Sequence, residues 1–74
     1  MSKIPRISGK LIISALKKAG FEIIRIKGSH HYLQHHDGRS TVVPVHGSET
    51  IGVGLMSKIL KDCEITLEEF ISYL

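Results

Sequence analysis

The sequence predicts an α+β fold: a helix, a three-stranded antiparallel sheet, a second helix and a short C-terminal helix. Three observations carry this expectation. Apolar residues recur at helical spacing before residue 20 and after residue 52. Between them, residues 21–45 alternate and are rich in β-branched side chains. Two short turn signals, Gly28-Ser29 and Asp37-Gly38, divide that stretch into three runs.

The elements follow in order. Residues 1–7 read as a loosely held arm around Pro5. A helix fits Ser8 to Ala19, with Ser8 as N-cap and Gly9 weakening its start. Leu11, Ile12, Ala15, Leu16 and Ala19 would form its apolar face. Lys17 and Lys18 suit the negative end of the helix dipole, and Gly20 suits the position after the helix. Phe21 to Lys27, His30 to His36 and Arg39 to Val45 read as strands, with Pro44 near an end where a lost donor is tolerable. A Gly- and Ser-containing loop covers residues 46–52. Val53 to Lys61 reads as the second helix, burying Val53, Met56, Ile59 and Leu60. Thr66 followed by Glu69 is a capping-box pattern for a last helix, Leu67 to Leu74. Turns of hairpin length make antiparallel pairing nearly obligatory. This element order is that of double-stranded-RNA-binding domains, and fold analogy alone does not establish function.

Seventy-four residues make one domain, 1–74, with a core only marginally sufficient by itself. A hydrophobic share of 42% and a charged share of 23% argue against disorder. The apolar runs are far shorter than the roughly 20 residues of a membrane span. The N-terminus carries no apolar signal region. Cys63 is the only cysteine, so no internal disulfide forms, and a cytoplasmic location is the default expectation.

Charge is unevenly spread. Residues 1–40 hold eight Lys/Arg against two acids, whereas residues 41–74 hold two against five. A basic half on a small domain suits a polyanion such as RNA, although a merely solvated surface has the same composition.

Four of the five histidines fall within seven positions: His30, His31, His35 and His36. Metal binding is the first chemistry to consider. On a strand, four residues span about 13 Å, so neither His31/His35 nor His30/His36 shares one ion by itself, and no metal site is expected. RNA cleavage without metal is the second. It needs a base that titrates near neutrality, cations for the phosphate and a backbone open to the substrate. Histidine suits the first role. Lys27, Arg25 and Arg39 flank the histidine strand and suit the second. Gly28 permits close approach, and Ser29 can donate a hydrogen bond. Alternation places His30 with Tyr32, Gln34 and His36, and His31 with Leu33 and His35; it leaves open which set meets solvent. His46, after the third strand, suits either RNA contact or loop capping. Tyr32 suits either stacking on a base or packing on the sheet. Cys63 reads as an inert thiol.

Four groups of residues in order now bear on family. They are Leu16-Lys17-Lys18-Ala19-Gly20-Phe21, Gly28-Ser29-His30-His31, Asp37-Gly38-Arg39 with Val43-Pro44-Val45-His46, and Gly54-Leu55 with Lys58-Ile59-Leu60-Lys61. Together they resemble the HicA toxins over about residues 8–71. The resemblance implies a double-stranded-RNA-binding-like fold, a metal-independent mRNA interferase activity without cofactor, and a cytoplasmic toxin–antitoxin module. Its implied partners are mRNA and a HicB antitoxin that covers the active site. By the same resemblance the essential histidine follows Gly-Ser, which is His30, with His31 as second candidate. Two departures stand out: an extra glycine in Ile51-Gly52-Val53-Gly54, and Asp62-Cys63-Glu64 where a helix-ending glycine is usual. The alternative reading is a non-catalytic RNA-binding module of the same fold.

Overall fold

The computed structural model describes residues 4–74. Its elements are α1 (Gly9–Lys18), β1 (Phe21–Lys27), β2 (His30–His35), β3 (Ser40–Pro44), α2 (Val53–Cys63) and α3 (Leu67–Ser72). The fold is α+β, with element kinds and order as the sequence predicts and ends that differ by no more than two residues. Ser8 caps α1, its hydroxyl accepting from the Leu11 amide at 3.3 Å. Thr66 caps α3, accepting from the Glu69 amide at 3.0 Å. No helix among the described residues is long and apolar enough to cross a membrane.

The strands form one antiparallel sheet in the order β1-β2-β3. Helices cover the face that carries Phe21, Leu33 and Val43, all fully buried. Ile12 and Leu16 of α1, Met56 and Ile59 of α2 and Phe70 of α3 complete the core. Each such side chain contributes about 1.5–3 kcal/mol by leaving water. Thr41, buried on β3, donates to Asp62 of α2 at 3.1 Å and ties helix to sheet. Among the described residues, no helix covers the opposite face of the sheet, where Arg25, Lys27, His30 and Gln34 are exposed.

Two helix faces differ from expectation. In α1 the buried stripe is Gly9, Ile12, Ile13 and Leu16, joined by Ala15, while Leu11 is 53% exposed. Gly9 sets this rotation: a methyl group there would collide with the carbonyl oxygen of Pro44, so the helix start lies directly on the end of β3. In α2 the stripe is Met56, Ile59, Leu60 and Cys63, and Val53 is exposed. The helix runs two residues past Lys61 and so brings Cys63 into the core. It stops at Glu64, which itself takes the left-handed conformation (φ 54°) where a glycine is usual.

The N-terminal arm is held more closely than its composition suggests. Ile4 and Ile7 pack against the core, and the Ile7 carbonyl accepts from the Ile51 amide at 2.8 Å. Residues 1–3 of the expected arm lie outside the described residues.

β1 carries a bulge between Ile23 and Arg25. Phe21, Ile23 and Ile26 stand opposite His35, Leu33 and His31 on the helix side. Past the bulge, Arg25 stands opposite Tyr32 and Lys27 opposite His30. Unbroken alternation from Phe21 would send Arg25 and Lys27 toward the helices. The one extra residue, Ile24, re-aims both cations onto the open face.

Candidate active site

The site lies at one end of the sheet, where β1 turns into β2 and β3 leaves. The turn is the two residues Gly28 and Ser29. Gly28 has φ +59°, a left-handed conformation that a two-residue hairpin requires and that glycine adopts without strain. Among the described residues, nothing lies within 4 Å of where a Cβ would stand on Gly28, so the space beside its Cα is open.

The Ser29 carbonyl gathers the corner. It accepts from the Val45 amide at 2.8 Å and lies 3.2 Å from Nδ1 of His31. A carbonyl oxygen only accepts, so Nδ1 of His31 is the donor in this contact, and in the neutral ring Nε2 is the nitrogen left to accept. His31 is half-buried on the helix side, in register with Ile26 and Val43. His30 is exposed on the open face, between Lys27 and Pro44. The question that alternation left open is thus settled by Leu33: its full burial puts the odd residues of β2 inward.

Lys27 is exposed directly opposite His30. Arg25 lies farther along β1, its Cζ 5.6 Å from the centroid of the Tyr32 ring. His46, exposed, follows Val45 and so begins its loop beside the Ser29 corner. Lys27, Gly28, Ser29, His30, His31 and His46 therefore converge at this end, with Arg25 nearby.

Arg39 does not join them, which corrects the expectation that it flanks the same phosphate. Its backbone pairs with His35, at the other end of β2, about 16 Å from His30 along the strand. Its side chain is also committed. Nε bonds the Asp37 carboxylate at 2.9 Å, Nη1 bonds the Cys63 carbonyl at 2.6 Å, and the guanidinium lies 5.3 Å from the Phe21 ring centroid. Sequence proximity misled here, because the fold spends this cation on closing the second hairpin.

His35 and His36 share that far end. Their rings are 4.3 Å apart, and the His35 ring meets the edge of Phe21. Nδ1 of His35 lies 3.1 Å from the Asp37 carboxylate. Among the described residues, no three His, Cys, Asp or Glu side chains converge as a metal-binding group. Burial pushes the Cys63 thiol up to about 12, with the Asp62 charge acting the same way, so it is no nucleophile near neutral pH. A broad depression of about 600 Å³ at the far end, lined by Lys17, Phe21, Glu22 and Ile23, holds no histidine.

The sequence reading missed the bulge, and with it the pairing of Arg25 with Tyr32. No glycine or other local signal marks Ile24 as an extra residue; β-branched neighbours conceal it.

Comparison with known families returns a match over residues 9–65 of the 74 to the family described as HicA toxin of bacterial toxin–antitoxin. No curated protein matches the sequence. With more than three quarters of its length inside that match, the helix–sheet–helix chain with the Gly-Ser-His-His corner belongs to the HicA family of bacterial toxin–antitoxin toxins.

Proposed function

We propose that this toxin is a metal-independent RNA endonuclease, an mRNA interferase, centred on the Lys27–His30 corner. The observation that carries the reading is the direct opposition of Lys27 and His30 across a two-residue turn whose backbone is open. His30 takes the proton of a 2′-hydroxyl. The 2′-oxygen then bonds to the adjacent phosphorus as the bond from phosphorus to the 5′-oxygen breaks, and that oxygen leaves with a proton from solvent. Lys27 holds the phosphate, Gly28 lets it approach, and Ser29 orients it. Arg25 and His46 contact the RNA on either side. Arg39 has no phosphate-holding part in this reading. The module works in the cytoplasm, with a HicB-like antitoxin covering this end of the sheet.

One observation favours a second assignment of the base. The bond from His31 Nδ1 to the Ser29 carbonyl holds the imidazole in the tautomer whose Nε2 can accept a proton. His31 is therefore the second candidate.

The deciding experiment incubates folded, antitoxin-free protein with labelled single-stranded RNA. The upstream product should end in a 2′,3′-cyclic or 3′-phosphate and the downstream one in a 5′-hydroxyl. Deoxyribose at the cut position should stop cleavage while binding persists, because phosphate contacts dominate affinity. Intact RNA after prolonged incubation would favour the non-catalytic RNA-binding alternative. Products with 5′-phosphates would contradict the histidine mechanism.

A further inference from the structure

The open face of the sheet carries a second group of residues that proton transfer at His30 does not use. Tyr32 stands two residues from His30 on the same face of β2, about 7 Å along the strand. It is half-buried, so its ring is supported by the sheet yet reachable. Arg25, brought to this face by the bulge, sets its guanidinium beside that ring. With Tyr32, the residues Ile24, Gln34, Ser40, Val42 and Asp62 line a hollow of about 280 Å³.

The chemistry of this hollow is specific. Tyr32 lines it with a phenol ring, beside which the Arg25 guanidinium stands outside the hollow itself. Ile24 and Val42 add apolar surface, Gln34 and Ser40 add donors and acceptors, and Asp62 adds a carboxylate that can accept from a base amino group. That combination recognises an unpaired nucleobase, which presents a π-face and hydrogen-bonding edges together. A base inside a duplex offers no free π-face, because it is stacked, and its pairing edge is occupied. The charges run in the same line. Lys27 opposite His30 and Arg25 opposite Tyr32 place a cation at two successive positions along the hairpin, a spacing close to one extended nucleotide.

We propose that Tyr32 and Arg25 form a nucleobase-stacking subsite, which holds an unpaired RNA base one nucleotide from the bond to be cut. Its distance from the cut rests on His30 as the cutting centre; the stacking does not. Tyr32 is a positioning residue, and Arg25 orders its ring and adds a second plane.

The test exploits the composition. The chain has two tyrosines and no tryptophan, so a Tyr73→Phe protein reports on Tyr32 alone. The probe is a short RNA with 2′-O-methyl groups throughout, which cannot be cut by 2′-hydroxyl attack. It is titrated as a single strand and again annealed to its complement, with binding followed separately by anisotropy of an end label. The single strand should quench Tyr32 fluorescence at saturation and the duplex should not. In the otherwise unchanged protein, Tyr32→Ala should weaken single-strand binding roughly 5- to 150-fold, the range for loss of one stacked base. Tyr32→Phe, which keeps the ring, should bind like the unaltered protein. Unchanged fluorescence with the probe bound, equal quenching by duplex, or undiminished affinity in Tyr32→Ala would each overturn the proposal. So would a Tyr32→Ala protein that loses only its antitoxin, which would make this a protein-docking face. The readout involves no cutting, so the two readings fail separately. A His30→Ala protein that still cuts would overturn the cutting centre, whereas a silent Tyr32 would overturn the stacking subsite.

Discussion

Arg39 donates from Nη1 to the backbone carbonyl of Cys63 at 2.6 Å and so fastens the second hairpin to the last turn of α2. The final carbonyls of a helix have no partner within the helix, and a guanidinium that reaches one satisfies it while placing positive charge at the negative end of the dipole. The same side chain clamps Asp37 across the turn. Arg39→Ala should therefore lower the thermal midpoint of the free toxin. Its affinity for single-stranded RNA, measured on the folded fraction, should stay within about twofold at fixed salt, because a single distant charge contributes little once screened. Weakened RNA binding at an unchanged midpoint would return Arg39 to the substrate site.

The Arg39 guanidinium, bonded to Asp37, holds that carboxyl below its usual value. A depressed folded-state value makes the ionised form the stabilising one. The contribution is fully present above the unfolded value of about 3.9 and is lost as pH falls through the lower folded value. Urea midpoints of the unaltered and Asp37→Asn proteins should differ at pH 7 and converge below about pH 4. A gap that widens with acid would reverse the assigned sign.

Loss of the catalytic base should cost about 10²- to 10⁴-fold in cutting rate. His30→Ala should show that loss with an unchanged circular dichroism spectrum. The same loss in His31→Ala, with His30→Ala fully active, would move the base to His31. Full activity of both variants would sink a histidine mechanism. In each case the unaltered protein should keep cutting in excess EDTA; loss with chelator and recovery with zinc or magnesium would show that a metal takes part.

Gly9→Ala tests the closest helix–sheet approach. Alanine is the better helix former by about 1 kcal/mol, but the added methyl meets the Pro44 carbonyl oxygen, which is backbone and yields little. Overpacking of this kind costs about 1–3 kcal/mol, so the variant should be less stable despite its propensity. A more stable Gly9→Ala protein, by urea denaturation, would show that α1 can lift from β3.

Glu64→Gly tests the end of α2. A left-handed conformation costs a residue with a side chain about 1–2 kcal/mol, and glycine avoids it. The more flexible unfolded glycine chain offsets part of this. A net gain of about 0.5–1 kcal/mol is expected by chemical denaturation, with RNA cutting unaltered. A loss would mean that the Glu64 side chain contributes more than its backbone costs.

The order of elements was legible in the sequence because each signal is local. Ser8 and Thr66 mark helix starts through side chains that bond their own backbone. Gly28-Ser29 and Asp37-Gly38 mark turns through the conformations those residues tolerate. Apolar spacing distinguishes helix from strand within a window of a few residues. The Gly-Ser-His-His corner was legible for the same reason, since neighbours in a two-residue turn are neighbours in space.

What the sequence alone left undecided involves residues far apart in the chain. Which stripe of α1 faces inward depends on where Gly9 meets Pro44, a contact across 35 positions. Whether His30 or His31 meets solvent depends on which sheet face the helices cover, and Leu33 settles it by being buried. The bulge at Ile24 depends on pairing with β2, and it alone turns Arg25 and Lys27 toward Tyr32 and His30. Arg39 stands near the histidines in sequence, yet an extended strand carries it to the opposite end, where Asp37 and Cys63 bind it. Local chemistry determined the elements and the corner. The tertiary structure decided which side chains share a face, because register and burial are properties of the packed sheet rather than of any one segment.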